Sequence, residues 1–201
     1  MCQVSISKGN AKMGSVQSVS LPAGITCRHD CECIKKCYAL RMARRRPTVH
    51  DAYERNYNIL MNNPDTYWRE VEAAVMLSRF FRFHVSGDIP DNVYLTHLVD
   101  IALRNPHCEI LCFTKKYEIV NEWLDAFGAF PPNLHIIFSV WRGLAYNNPH
   151  KLPEAHVRYK DGSTTAADNA HECGGNCSEC AVTDDGCWTL KYSEQVVFNE
   201  H

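Results

Sequence analysis

The chain has 201 residues, 45% of them hydrophobic, and carries a formal net charge of -2 with a sequence pI near 6.5. This size and apolar content are typical of one compact domain with a sizeable core. The near-neutral charge argues against a protein whose whole surface is built for nucleic acid. Residues 1–12 contain no apolar signal-peptide core, and no stretch approaches the ~18 apolar residues of a membrane span. We therefore expect a cytoplasmic protein.

Strand and helix signals alternate through the middle of the chain. The predicted strands are residues 16–21, 81–88, 109–114 and 134–140, and the predicted helices are residues 34–46, 64–80, 92–104 and 117–127. Consecutive strands joined by single helices run parallel, so the pattern predicts an α/β fold, either a sheet or a partial (β/α) barrel of mostly parallel strands. We expect residues 1–150 to form this unit and residues 151–201 to form a Cys-rich, loop-rich C-terminal extension.

Eight of the eleven cysteines fall in two groups. The N-terminal cysteine set comprises Cys27, Cys31, Cys33 and Cys37, and the C-terminal cysteine set comprises Cys173, Cys177, Cys180 and Cys187. In a reducing cytoplasm, clustered cysteines are more often metal ligands than disulfides. Thiolates select iron–sulfur clusters and zinc, and each such site takes about four of them. The sequence therefore predicts metal binding by at least one set.

The spacing within the C-terminal cysteine set favours iron–sulfur over zinc. Its four cysteines arrive in one short run that contains glycines, as in the ferredoxin-type loops that wrap a [4Fe–4S] cluster. A zinc ribbon brings two separated Cys-x2-Cys pairs, whereas only Cys177 and Cys180 form such a pair here. Zinc stays the alternative metal. Of the other cysteines, Cys108 and Cys112 flank an apolar run and are expected in the core, and Cys2 has no assigned role.

Polar motifs follow three of the predicted strands. Ser86, Gly87 and Asp88 end the second strand, Lys115 follows the third, and Ser139 lies near the end of the fourth. Because the carboxyl ends of parallel strands meet at one edge of a sheet, we expect these residues to converge with the N-terminal cysteine set, as in an active site. Two simpler roles stay open: Asp88 as the cap of the next helix and Lys115 as a solvated residue at a helix start.

The order of these motifs resembles the phage-encoded gene product 88 family. The shared features are a cysteine loop ending in Cys37-Tyr38-Ala39, then Ser-Gly-Asp, Phe-Thr-Lys and Phe-Ser-Val, and finally a Cys-rich tail ending in Cys187-Trp188. The motif order is also similar to that of radical S-adenosylmethionine enzymes. Those enzymes have a partial (β/α) barrel, a cluster held by three cysteines after the first strand, and a turn after the second strand that receives the methionine amino group.

This resemblance implies that Cys27, Cys33 and Cys37 hold a [4Fe–4S] cluster, with Cys31 either substituting for Cys33 or serving as a fourth ligand. The spacing departs from the usual Cys-x3-Cys-x2-Cys, since the intervals here are three, one and three residues. A fourth thiolate would close the iron site that S-adenosylmethionine needs. The C-terminal cysteine set would hold a second, auxiliary [4Fe–4S] cluster.

The resemblance also implies a site for S-adenosylmethionine at the turn formed by Ser86, Gly87 and Asp88. We expect Ser139 to join this cofactor site, and Asp88 and Lys115 to be the catalytic residues. The substrate is unknown, because nothing outside these motifs specifies a reacting group. For a phage protein, the expected location is the cytoplasm of the bacterial host.

A second hypothesis is a non-catalytic module, stabilised by iron–sulfur or zinc, that binds nucleic acid or a host protein. The basic residues within 35–46 are either a helix face in water or a contact to nucleic-acid phosphates. His84 alternates within a predicted strand and is expected to be a core histidine.

Overall fold

The computed structural model describes residues 3–183 and 185–200, so Cys2 lies outside the described part. The strands are β1 (Ile6–Ser7), β2 (Gln17–Val19), β3 (Phe80–Phe83), β4 (Glu109–Thr114), β5 (Leu134–Ser139), β6 (Glu154–Arg158), β7 (His171–Glu172) and β8 (Gln195–Asn199). The helices are α1 (Tyr38–Arg45), α2 (Pro47–Asn62), α3 (Pro64–Met76), α4 (Asn92–Arg104), α5 (Tyr117–Phe127) and α6 (Cys177–Thr183). Short 3₁₀ turns cover Glu32–Lys36 and Gly186–Trp188.

One open sheet contains these eight strands, in the spatial order β1-β2-β3-β4-β5-β6-β8-β7. β1 pairs with β2 antiparallel, and every other neighbouring pair in the described residues is parallel. The predicted mixed α/β fold with a mostly parallel sheet is confirmed, and the sheet does not close on itself. No helix in the described residues is long and apolar enough to cross a membrane.

Local capping explains why two predicted helices begin at the expected residues, although α3 ends at Met76 and not at the predicted residue 80. Asn63 caps α3 by accepting a hydrogen bond from the Thr66 N–H at 3.2 Å, and Pro64 occupies the first helical position. Asp91 caps α4 by accepting from the Tyr94 N–H at 2.8 Å. Asp88 is therefore not the cap of this helix.

The second predicted strand is shorter than expected. It ends at Phe83, because His84 adopts a left-handed backbone with φ of 62° and leaves the extended conformation. His84 is 4% exposed, and its Nε2 lies 3.0 Å from the Tyr94 hydroxyl. Burial lowers the pKa of His84 to about 3, so the ring is neutral. The prediction of a core histidine is confirmed.

The two faces of the sheet are covered differently. Alternate strand residues on one face, such as Ile110 and Ile136, pack against helices α2 to α5 in the larger core, which also buries Cys108 and Cys112 as predicted. The other face presents Leu111 and Ile137 to a smaller cluster. That cluster consists of Trp188, Ala181, Val196 and Met13 among others, with the C-terminal cysteine set packed against it. The molecule therefore has three layers: helices, sheet and Cys-rich segment.

The C-terminal part of the chain contributes strands to the common sheet. β6 continues from the end of β5 through the partners Phe138 with Glu154 and Ser139 with Ala155, and β8 then pairs along the whole of β6. The predicted division at residue 150 stays a prediction, but the two parts share one sheet. The last strands thereby carry the C-terminal cysteine set onto the sheet face opposite the helices.

Candidate metal centres

Three different local structures bring the C-terminal cysteine set together. Cys173 follows β7 and its N–H donates to Val197 O at 3.0 Å. Cys177 and Cys180 lie three residues apart in α6, so they share a helix face. Cys187 lies in the 3₁₀ turn Gly186–Trp188. All four side chains are partly buried against the same cluster, which makes them one potential centre.

Backbone contacts anchor this set to the rest of the molecule. The Cys177 N–H donates to Lys12 O at 2.9 Å, and the Trp188 Nε1–H donates to Cys177 O at 3.2 Å. The Trp188 ring packs edge-on against Phe80 with ring centres 5.0 Å apart. The set is therefore fixed to the N-terminal segment and to the sheet at once.

Arg82 faces the C-terminal cysteine set from β3. Its Nη1 lies 3.8 Å from Cys177 Sγ and 3.4 Å from Met13 Sδ, and its guanidinium stacks 4.7 Å from the Phe113 ring centre. The Arg82 Nε is buried without a hydrogen-bond partner, and no carboxylate in the described residues pairs with this side chain. A buried cation without an anion is unfavourable. The structure thus places an unpaired positive charge beside sulfur atoms.

Burial raises the pKa of two thiols of this set, Cys180 and Cys187. It raises the pKa of Cys187 to about 12, with the neighbouring Cys173 adding to the rise and Arg82 opposing it. Burial also lowers the pKa of Lys12, while Cys173 and Cys177 oppose that change. Metal binding would deprotonate the thiols, and the resulting thiolates would place negative charge beside Arg82 and Lys12.

The donor chemistry fits a thiolate-held metal. The cysteines of both sets are free thiols. Within residues 3–183 and 185–200, no three His, Cys, Asp or Glu side chains are already arranged as a metal-binding group. The fit of the C-terminal cysteine set therefore rests on its four soft donors and on the unpaired Arg82, not on preformed coordination geometry.

The N-terminal cysteine set lies on a loop that follows β2 and leads into α1. Cys31 is 2% exposed, whereas Cys27, Cys33 and Cys37 are partly buried. A hydrogen bond between the Cys31 and Cys33 side chains lowers the pKa of Cys31 to about 6 and raises that of Cys33. Burial raises the pKa of Cys27 to about 11, and Asp88 and Cys37 contribute to that rise. The Asp88 N–H donates to Oγ1 of Thr26, the residue before Cys27, so the start of this loop lies beside Asp88.

Asp88 joins the carboxyl ends of two neighbouring strands. Its carboxylate accepts from Thr114 Oγ1 at 2.6 Å, from the Lys115 N–H at 2.9 Å and from the Ile89 N–H at 2.8 Å. Burial raises the pKa of Asp88, and these hydrogen bonds oppose the rise. The carboxylate is therefore engaged in holding the end of β4 to the turn after β3.

Lys115 and Ser139 extend this connection to the next strand. Lys115 Nζ donates to Ser139 Oγ at 2.8 Å, and the Tyr117 hydroxyl donates to Ser139 O at 2.6 Å. Lys115 is partly buried, and its Nζ is directed along the edge of the sheet. The structure thus brings together Asp88, Lys115 and Ser139, the residues that the sequence placed at successive strand ends; their roles are not tested by this proximity.

The turn formed by Ser86, Gly87 and Asp88 packs against the start of the cysteine loop. Gly87 has φ of +81°, and a Cβ there would lie 2.7 Å from both Leu21 O and Thr26 Oγ1. The Asp88 N–H donates to Thr26 Oγ1 at 3.0 Å. Since Thr26 directly precedes Cys27, this turn positions the first cysteine of the N-terminal set.

The sequence analysis assigned no role to two residues that lie near the sites, Arg82 and Tyr38. Arg82 is a charged residue within an otherwise apolar strand, which was a usable signal of a buried anion. Tyr38 directly follows Cys37, and its hydroxyl donates to Val85 O at 2.5 Å. Burial raises the pKa of Tyr38, Arg82 opposes the rise, and both Cys37 and Cys177 add to it. Val85 packs against the same cluster as the C-terminal cysteine set, so Tyr38 connects Cys37 to that cluster.

A cavity of about 410 Å³ opens beside the N-terminal cysteine loop. Its walls include Cys27 and Arg28 from the loop, Tyr57 and Met61 from α2, and Lys116 before α5. Arg28 is held in place by Asp30 and Glu118, at 2.7 and 2.9 Å. The cavity gives a small molecule or a flexible segment access to the cysteine loop.

Comparison with known families gives one match. A family model described as gene product 88 matches residues 4–186, which contain every cysteine of the two sets except Cys187. Searches of curated proteins and of solved structures found no match.

Proposed function

The chain belongs to the phage gene product 88 family, and we propose that it is an iron–sulfur protein with two cysteine-held clusters and radical S-adenosylmethionine chemistry at the N-terminal one. The open α/β sheet would then act as a partial (β/α) barrel whose carboxyl edge carries the active site. The proposed location is the cytoplasm of the bacterial host, where thiols stay reduced. The substrate is not assigned by this proposal.

The observation that carries the proposal is the unpaired Arg82 beside the C-terminal cysteine set. Four thiolates around a metal form an anionic centre, which would compensate the guanidinium in a poorly solvated layer. This charge argument applies equally to zinc and to an iron–sulfur cluster. The arrival of four cysteines in one short run with glycines favours the cluster. Because all four ligands come from the protein, this centre offers no open coordination position.

The N-terminal cysteine set is proposed as the reactive centre. It lies at the carboxyl edge of the sheet beside Asp88 and Lys115, and a cavity opens next to Cys27. Cys27, Cys33 and Cys37 are the proposed ligands, and the hydrogen bond between Cys31 and Cys33 makes Cys31 the candidate to replace or supplement Cys33. When reduced and bound here, a [4Fe–4S] cluster would supply the electron that cleaves S-adenosylmethionine.

The residues around this set would bind and orient the cofactor. Ser86, Gly87 and Asp88 are proposed to receive the methionine part of S-adenosylmethionine, with Ser139 at the far side of the site. Asp88 contributes by holding two strand ends in register, because its carboxylate oxygens are already engaged. Lys115 is the one proposed catalytic group whose charged end lies on the edge itself, where it can contact an anionic part of the cofactor or substrate.

The test is a measurement of metal and of cofactor cleavage on the anaerobically purified full chain. We expect a brown protein that contains iron and acid-labile sulfide. With dithionite and S-adenosylmethionine it should yield methionine and 5′-deoxyadenosine. A colourless protein that contains zinc would contradict the iron–sulfur assignment. Fully loaded clusters without cleavage would contradict the radical assignment alone.

The second candidate is a non-catalytic module stabilised by metal, with nucleic acid or a host protein as its partner. The observation that favours it is the position of the C-terminal cysteine set. These cysteines come from α6, from the residue after β7 and from the 3₁₀ turn Gly186–Trp188, and they pack against the sheet face beside β3, which is distant in the chain. Metal binding there would contribute folding free energy. In this case metal removal would unfold the Cys-rich layer, and no cleavage of S-adenosylmethionine would occur with either metal.

A further inference from the structure

We infer that the arginine-rich helix α1 and the cavity beside Cys27 form one binding surface for single-stranded nucleic acid. The phosphates would contact the arginines, and one unstacked base would enter the cavity. Binding of nucleic acid to this surface needs neither iron–sulfur cluster. The further step, that this nucleic acid is the substrate, rests on the proposed function.

Positive charge is concentrated at the C-terminal end of α1. Arg44, Arg45 and Arg46 are exposed, and their side chains form no ion pair or hydrogen bond within residues 3–183 and 185–200. Arg41 is exposed on the same helix, which contains no acidic residue. On a chain whose net charge is -2, this is a local reversal of sign. Guanidinium groups bind phosphate oxygens in pairs, and such a cluster is the usual footprint of a polyphosphate backbone.

The ordinary structural account explains only part of this cluster. Basic residues in the last turn of a helix stabilise its dipole, which applies to Arg44 and Arg45. It does not remove the mutual repulsion of the three adjacent guanidinium groups of Arg44, Arg45 and Arg46 in the free protein. A bound polyanion removes that repulsion.

The arginine face leads directly to the cysteine loop. Tyr38, Arg41 and Arg45 are spaced by three and four residues, so they share one face of α1. Tyr38 begins this face, next to Cys37, and its hydroxyl bonds to Val85 O just beyond β3. A strand held by the arginines therefore passes along the edge of the sheet that carries the candidate active site.

A row of side chains on helix α2 is the second part of the proposed surface. His50, Tyr53, Tyr57 and Met61 recur at spacings of three and four residues, and they span about 16 Å along the helix axis. Tyr57 is partly exposed and lines the cavity, with Ile25 47% exposed beside it. The acidic residues of the cavity are already engaged, since Asp30 pairs with Arg28 and Asp91 caps α4. The Tyr57 ring, with Lys116 in the same lining, suits a stacked base.

The cavity also predicts a preference for single-stranded over double-stranded nucleic acid. A paired base could enter it only after being flipped out of the duplex, which costs unstacking free energy. The surface should therefore bind a single strand more tightly than a duplex of the same length.

The experiment is fluorescence anisotropy on the full chain, purified anaerobically, with a labelled single-stranded DNA of mixed sequence at several salt concentrations between about 50 and 200 mM. Arg44→Gln combined with Arg45→Gln should weaken binding and reduce the slope of log affinity against log salt by about 1.4, because each lost phosphate contact removes about 0.7 on a single strand. Tyr57→Leu should weaken binding by about 5- to 150-fold without changing the slope.

The matched control is Arg69→Gln combined with Lys191→Gln, which removes two exposed positive charges from other parts of the surface. It should leave both affinity and slope unchanged. No binding by the wild-type chain, an equal loss in the control, or tighter binding of the duplex would overturn the inference. Iron content is measured on the same samples, so that loss of metal, which contradicts the proposed function, is distinguished from loss of nucleic-acid binding.

Discussion

Arg82 makes the strongest single-residue case for a metal at the C-terminal cysteine set. It interrupts an apolar strand, and its buried Nε has no partner although Cys177 Sγ lies 3.8 Å from Nη1. Without metal, the charge of Arg82 destabilises the folded protein, whereas beside four metal-bound thiolates it would stabilise it. The two states therefore respond to its removal in opposite directions.

Arg82→Met should thus stabilise the metal-free protein by about 1 kcal/mol, because it replaces a partly buried, unpaired charge with an apolar side chain of similar length. The same substitution should weaken metal retention in the loaded protein. Chemical denaturation with and without chelator, together with metal analysis, measures both effects. Arg69→Met, at an exposed position, is the control and should change neither. Destabilisation of the metal-free protein by Arg82→Met would contradict this account of the charge.

Gly87→Ala tests the close packing of the turn against the cysteine loop. Gly87 and Gly162 share φ of +81°, but only Gly87 has atoms in the way, with Leu21 O and Thr26 Oγ1 at 2.7 Å from the added Cβ. Gly162→Ala should cost about 1 kcal/mol from backbone strain alone. Gly87→Ala should cost about 3 kcal/mol and reduce metal binding by the N-terminal cysteine set. Equal losses of stability in the two variants would show that the contact with Thr26 is unimportant.

His84 gives the protein a specific sensitivity to acid. Its pKa is lowered to about 3 by burial, so between about pH 6.5 and pH 3 the unfolded chain binds the proton that the folded chain excludes. Its contribution to stability is fully present above pH 6.5 and is lost as the pH falls. Wild type should lose about 1.4 kcal/mol more than His84→Gln between neutral pH and about pH 5.5. Denaturation curves at the two pH values measure this, and parallel losses in both proteins would contradict it.

At the scale of elements, the helices whose starts are set by capping residues could be predicted from the sequence. The caps at Asn63 and Asp91 explain why the helices at residues 64–76 and 92–104 were predictable. α2 was missed although Pro47 marks its first turn, because its sequence is mostly polar. β6 and β8 were missed because each is short and pairs with a partner distant in the chain, as in the register Ala155 with Val196.

The candidate site was likewise predictable only in part. Asp88, Lys115 and Ser139 could be predicted to converge, since each follows a strand of one parallel sheet. The position of the C-terminal cysteine set on the sheet face opposite the helices could not be predicted, because it depends on the pairing of β6, β7 and β8. The hydrogen bonds that Asp88 accepts at the end of β4 likewise could not be predicted, because they depend on the three-dimensional structure.

Asp88→Asn should loosen the junction of these elements. The amide would turn one acceptor oxygen into a donor that faces the Thr114 hydroxyl or the Lys115 N–H. We expect a loss of about 1–3 kcal/mol, measured by thermal or chemical unfolding. Asp168→Asn, at an exposed position, is the control and should be neutral. If Asp88→Asn keeps full stability, the carboxylate is not what holds β4 to the turn after β3.

At the scale of the whole molecule, the two cysteine sets occupy different places. The N-terminal set lies at the edge of the sheet, and the C-terminal set lies in the layer on its face, where Val85 accepts a hydrogen bond from Tyr38. The sets should therefore be separable. Losing a ligand of the C-terminal set should uncover Leu111 and Ile137 and lower thermal stability. Losing a ligand of the N-terminal set should remove reactivity from a protein that still folds.

The most direct test of two iron–sulfur centres is the iron and acid-labile sulfide content of the anaerobically purified wild type, Cys37→Ala and Cys180→Ala. The account predicts iron and sulfide in equal amounts in the wild type and about half as much in each variant, with thermal stability lowered mainly in Cys180→Ala. Zinc without sulfide in the wild type would contradict the assignment of iron. Loss of all iron in either variant would contradict the division into two separate centres.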